Sequence, residues 1–108
     1  MSVRTIRADE LSALLDEIKE GDCVLLDVRE RSEFESSHIP LAILMPVSEL
    51  ERRQEELDPE KKVVLYCRSG NRSKRAADLL ASKGFKDINV LEGGITNWGR
   101  QQGPVERG

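Results

Sequence analysis

The 108-residue sequence has one histidine, two cysteines and only 4% aromatic residues, so the side chains that build metal centres and stacking surfaces are scarce. A structural zinc site takes about four cysteine or histidine ligands close together, and Cys23 and Cys67 do not form a C-x-x-C pair. The expectation is no metal and no cofactor. So few aromatics cannot supply the stacking platforms of single-strand binders. A large excess of one charge is also lacking: 17 basic against 20 acidic residues leaves −3, without the basic surplus that a nucleic-acid partner demands. No apolar run approaches the roughly 20 residues that cross a bilayer. The opening Met1-Ser2-Val3-Arg4-Thr5-Ile6-Arg7 lacks the apolar core of a signal peptide. The expectation is a cytoplasmic protein with reduced thiols and no nucleic-acid or membrane partner. What is present is 34% charged and 38% hydrophobic residues, at a length that suits one domain over residues 1–108.

Short apolar runs alternate with helical patterns along the chain. Leu11, Leu14, Leu15 and Ile18 recur at i, i+3, i+4, i+7 and predict a helix over 8–20, favoured at its start by Asp9 and Glu10 and closed by Gly21. Cys23–Val28 is a continuous apolar run of the kind buried on both faces of a parallel sheet. A short helix over 31–36, a His38-Ile39-Pro40 turn and a short strand over 42–45 follow, the strand stopped by Pro46. Ser48-Glu49-Leu50-Glu51 fits a capping box that opens a small acidic helix. Val63–Tyr66 is a third clear strand, a helix is expected from about Arg72 to Lys83 with Ala76, Leu79 and Leu80 inward, and Ile88–Leu91 is a last strand. A final short helix over 95–102 holds Trp98. With a first strand near Thr5-Ile6, about five strands joined by helical crossovers imply an α/β fold with a mostly parallel central sheet covered on both faces.

Ligands of open parallel sheets sit at the carboxyl ends of strands, beside helix N-termini. One such position combines a nucleophile with cations: Cys67-Arg68-Ser69-Gly70-Asn71-Arg72-Ser73. Loop amides and the following helix start would point at the sulfur, Gly70 and Asn71 tolerate the positive φ of a tight cradle, and Arg68 and Arg72 add positive charge. All three influences favour thiolate over thiol. Charge distribution agrees, because residues 61–75 hold six basic residues and no acidic one, after a 49–60 stretch with six acidic and two basic. The loop suits a small anion, and Ser69 and Ser73 offer further hydroxyl donors. Lys74 and Arg75 read as solvated helix surface.

In this order and spacing, several segments resemble the single-domain rhodaneses, or thiosulfate sulfurtransferases. They are Leu25–Glu30, Glu33-Phe34, His38-Ile39-Pro40, Val63–Ser73, Leu91–Gly94 with Trp98, and Gly103-Pro104-Val105. The resemblance implies a three-layer α/β/α domain in which Cys67 takes a sulfane sulfur from an anionic donor as a persulfide, surrounded by the amides of Arg68 to Ser73. A thiophilic acceptor (cyanide, a small thiol or a protein thiol) then removes that sulfur. No general base is needed once the thiolate exists. The family usually carries glycine after His-Ile-Pro, and Leu41 stands there instead, so a differently shaped turn is expected because leucine resists positive φ.

Two other functional classes fit the composition. A cysteine-dependent phosphatase or arsenate reductase is one: such phosphatases place five residues between cysteine and arginine, whereas here four separate Cys67 from Arg72, a tighter cradle better matched to sulfur than to a phosphoryl group. A module that delivers sulfur to, or binds, a protein partner stays open. Asp27, at a strand's carboxyl end, is placed either to anchor the cysteine loop or to pair with a basic residue such as Arg29. Trp98 packs the last helix or borders the pocket mouth. His38 reads as a structural hydrogen-bonding residue. Cys23 reads as a core thiol too far from Cys67 for a disulfide.

Overall fold

The computed structural model describes residues 3–108; Met1 and Ser2, which begin the segment scanned for a leader, lie outside the described residues. Five strands, β1 (Val3–Ile6), β2 (Cys23–Asp27), β3 (Ile43–Leu44), β4 (Lys62–Tyr66) and β5 (Asp87–Leu91), form one sheet in the order β1-β5-β4-β2-β3. Every pairing is parallel. Five α-helices cover it: α1 (Ala8–Glu20), α2 (Arg31–Ser36), α3 (Val47–Arg53), α4 (Asn71–Ser82) and α5 (Gly94–Arg100). Side chains alternate across the central strand, as the two-residue period of a strand requires. Val63, Leu65 and Cys67 join a core with Leu50, Ala76, Ala77 and Leu80 of α3 and α4. Val64 and Tyr66 join a second core with Leu11 and Ile18 of α1 and Trp98 of α5. Two cores on opposite faces make the α/β/α layering expected from the sequence. Burial on both faces is also why β2 and β4 read as unbroken apolar runs.

Local departures from the sequence reading have local causes. β3 is two residues long rather than four, because the Ala42 amide is spent on the preceding turn, to Ile39 O (3.1 Å), and Pro46 can donate nothing beyond the last ladder bond, Met45 N–H to Asp27 O (2.8 Å). The cap of α3 is Pro46, not Ser48: the amide of Val47 is already bonded to Val28 O (3.1 Å), so the helix starts one residue before the proposed box. Side-chain caps occur instead at α1 and α2, where the carboxylates of Glu10 and Glu33 reach back to accept from the amides of Arg7 (2.9 Å) and Glu30 (3.0 Å). Inside α4, Ala77 is buried and Leu79 only half-buried.

The turn at Leu41 keeps the shape a glycine would give it. Ile39, Pro40, Leu41 and Ala42 close a turn through Ala42 N–H to Ile39 O (3.1 Å), and Leu41 takes φ +74° at the position where a type II turn needs positive φ. The expected reshaping does not occur; leucine carries the strain in an exposed position. Leu41→Gly should therefore raise stability, by up to about 1 kcal/mol. A lower denaturant midpoint for the variant would contradict this.

Candidate active site

β4 is the middle strand, and its carboxyl end delivers Cys67 directly into the turn before α4. Gly70 caps that helix at φ +125°, a conformation that L-residues rarely adopt, and nothing crowds the space where its Cβ would be. Glycine is thus required here for backbone shape rather than for room. Asn71, expected to share that role, is instead the first residue of α4, and it is absent from the positive-φ residues.

The turn wraps the sulfur. Gly70 N–H donates to Cys67 Sγ at 3.0 Å, the Ser73 hydroxyl lies 3.5 Å from Sγ, and the amides of Ser69 and Ser73 also point at it. Ser73 Oγ also lies 3.0 Å from Gly70 O, so its single proton serves that carbonyl while the cysteine is a thiol and turns to the sulfur once it ionises. Cys67 is only 1% exposed. Burial pushes its thiol pKa upward and is the largest single influence. The opposing hydrogen bonds from Ser73, Gly70 and Ser69 together outweigh it, and the pKa falls below the ordinary cysteine value. Cys23 is equally buried but lacks such a cradle, and burial raises its thiol to about 11. Both cysteines are free; Cys23 pairs with Lys62 in the β2–β4 register, so Cys67 lies five residues further along the neighbouring strand.

This contrast predicts a pH profile. Alkylation by iodoacetamide should follow one thiol that ionises below the ordinary cysteine range. Ser73→Ala should move that inflection upward, and Cys67→Ser should leave no reactive thiol near neutral pH. Equal labelling of Cys23 and Cys67 at pH 7 would contradict the account.

The arginines behave differently from one another. Arg68 is exposed, and among the described residues its side chain makes no ion pair. Arg72 reaches the loop but is engaged by Glu33 of α2, with Nη1 to Oε1 at 2.7 Å and Nη2 to Oε2 at 2.9 Å. That fork, opposed by partial burial and helped by the Glu30 amide, holds the Glu33 carboxyl down to about 2. Arg29, not singled out as a site residue, is buried at the cleft edge and forks onto Asp27.

Asp27 accepts from Arg29 and from the Tyr66 hydroxyl (2.7 Å), the pairing that the sequence offered as one of its two roles, and among the described residues no hydrogen bond joins its carboxylate to residues 67–73. Trp98 is fully buried and donates its indole N–H to Pro104 O (2.8 Å); it packs α5 and does not border the cleft. His38 stacks on Phe34 (centroids 3.8 Å apart) and bonds Phe34 O through Nδ1 (2.9 Å), which makes it structural. Beside the loop lies an open cleft of about 640 Å³, bounded by Arg29, Glu33, Arg68, Ile95 and Val105 among others.

One further residue supports the loop from below. Gly94 begins α5 at φ +58°, where a Cβ would overlap the carbonyl oxygens of Cys67 and Arg68. That close approach lets the amides of Ile95 and Thr96 donate to Cys67 O (3.0 Å) and Arg68 O (3.2 Å). The sequence shows Gly94 only as the end of the Leu91–Gly94 segment; its contact with the cysteine loop was not legible there.

A parallel α/β sheet that ends its central strand in a single cysteine, ringed by amides, defines a class of protein built for thiolate chemistry. Among known proteins, the Rhodanese-like domain family matches residues 8–101, and the chain belongs to that family. It is 36% identical to the thiosulfate sulfurtransferase GlpE of Coxiella burnetii over 81 residues, 75% of this chain and 76% of that one. Identity to YqhL of Bacillus subtilis is 45% over 75 residues, 69% of this chain, and the match spans 60% of YqhL's own length. The crystal structure of a rhodanese-related protein from Thermoplasma volcanium superimposes with a TM-score of 0.83 at 34% identity, covering 95% of this chain and 97% of that one.

Proposed function

We propose that the chain is a sulfurtransferase that carries a sulfane sulfur as a persulfide on Cys67. The observation that carries this reading is the ring of donors on Cys67 Sγ, led by Gly70 N–H at 3.0 Å. Such donors stabilise a thiolate before reaction and a terminal persulfide anion after it. With thiosulfate as donor, the Cys67 thiolate attacks the outer sulfur, the S–S bond breaks, and sulfite leaves with its electron pair. An acceptor then attacks the outer sulfur of Cys67–S–S⁻ and restores the thiolate; cyanide leaves as thiocyanate, and a small or protein thiol leaves as a persulfide. Charge and atoms balance in both half-reactions without a cofactor. Arg68, exposed at the cleft, draws the anionic donor in. The short loop and the engagement of Arg72 by Glu33 both disfavour phosphoryl transfer.

Thiocyanate formation from thiosulfate and cyanide tests the reading. Cys67→Ser should lose at least ~10³-fold in kcat/KM, because the covalent route disappears. Activity that survives this substitution, or p-nitrophenyl phosphate hydrolysis that depends on Cys67, would replace it with another chemistry.

A further inference from the structure

Three arginines stand around the cysteine loop, yet two are neutralised. Arg29 is held by Asp27 (2.7 Å) and by Ser37 O (2.6 Å), and Arg72 by both oxygens of Glu33. Of the three, Arg68 alone makes no ion pair among the described residues, and it is exposed at the cleft. Glu33 is not free to swing away, since Oε1 also accepts the Glu30 amide that starts α2. It lines the cleft together with Arg68, and the apolar Ile95 and Val105 line it as well. With the Glu33–Arg72 pair summing to zero, a dianion entering this cleft finds Arg68 as its one uncompensated cation, already opposed by the thiolate; a monoanion with an organic group carries half the charge to be balanced and finds apolar contacts.

We propose that Glu33 is a specificity-determining residue that masks Arg72 and tunes the loop toward singly charged organic sulfane-sulfur donors, such as persulfides and thiosulfonates, over dianionic ones. The assignment rests on Cys67 being the sulfur-carrying thiol. For a thiosulfonate the step is R–SO₂–S⁻ plus Cys67–S⁻ giving Cys67–S–S⁻ and the sulfinate R–SO₂⁻, with the S–S pair leaving on the sulfinate.

The test compares two donors of similar shape and different charge, thiosulfate and the methanethiosulfonate anion, with cyanide as acceptor. Glu33→Gln keeps an oxygen for the Glu30 amide and for Arg72 but removes the charge. It should raise the thiosulfate-to-methanethiosulfonate ratio of kcat/KM by about fivefold to tenfold, chiefly through a lower KM for thiosulfate, with the gain shrinking at high salt. The double variant Glu33→Gln with Arg72→Gln restores the neutral pair, and its ratio should return to within about twofold of the parent. A merely structural pair would not move this ratio. An unchanged ratio in Glu33→Gln, with both donors still forming the Cys67 persulfide, overturns the Glu33 assignment and leaves sulfur transfer standing. No persulfide from either donor in the parent protein overturns both.

Discussion

Replacing Gly94 with alanine should lower stability by about 3 kcal/mol and sulfur-transfer kcat/KM by on the order of a hundredfold. Two costs add. A left-handed backbone costs an L-residue about 1 kcal/mol, and overpacking a rigid contact costs roughly 1–3 kcal/mol more. The new methyl would meet backbone carbonyls of Cys67 and Arg68, which cannot rotate aside as a side chain would. Relief has to come from α5 or from the cysteine loop. Either movement stretches the bonds from Ile95 and Thr96 that fix the loop, and misplacement of about 1 Å can cost 10²-fold in rate. For a domain of this size, 3 kcal/mol corresponds to a fall of roughly 10–20 °C in Tm. Gly99→Ala is the matching control: it lies in the same helix with open space and no positive φ, so it should be neutral or slightly stabilising. A Gly94→Ala protein that melts and turns over like the parent would show that the close contact does not constrain the loop.

The second large effect is expected at Asp27. Its carboxylate is fully buried and accepts from Arg29 N (2.9 Å), from the Arg29 guanidinium and from Tyr66 Oη, which itself accepts the Ile39 amide (3.1 Å). The network joins the ends of β2 and β4 to the 37–39 segment, and among the described residues no buried side-chain polar atom is left unpartnered. Asp27→Asn preserves the shape but leaves the Arg29 cation, 5% exposed, without its counter-charge. Breaking such a pair on one side costs about 3–5 kcal/mol, a large share of the 5–15 kcal/mol that holds a typical domain together. Thermal unfolding should show it directly, and a midpoint within a few degrees of the parent would contradict the account.

Why the strands and the cysteine loop could be read from sequence, while these contacts could not, follows from separation along the chain. Val63–Tyr66 announces itself by an apolar run, and Cys67 to Ser73 by residue types that act on neighbours within one turn. The partners of those residues are remote. Glu33 and Arg72 are 39 positions apart, as are Asp27 and Tyr66. Nothing in the local pattern of Glu33-Phe34 marks Glu33 as the mask on Arg72, so two cations were expected at the loop where one is exposed. Gly94 likewise carries no sign of its role until α5 is seen beneath the loop. At Leu41 the limit was different: side-chain preference argued for a changed turn, but the surrounding fold holds the backbone at φ +74° regardless.

Mass spectrometry of the intact protein after treatment with a sulfane-sulfur donor tests the central claim most directly. The parent should gain the mass of one sulfur atom, localised to the peptide containing Cys67 and removed by cyanide, while Cys67→Ser gains none. A parent protein that gains no sulfur from thiosulfate, a thiosulfonate or an organic persulfide, or that gains it on Cys23, would contradict a persulfide carried in the loop after β4.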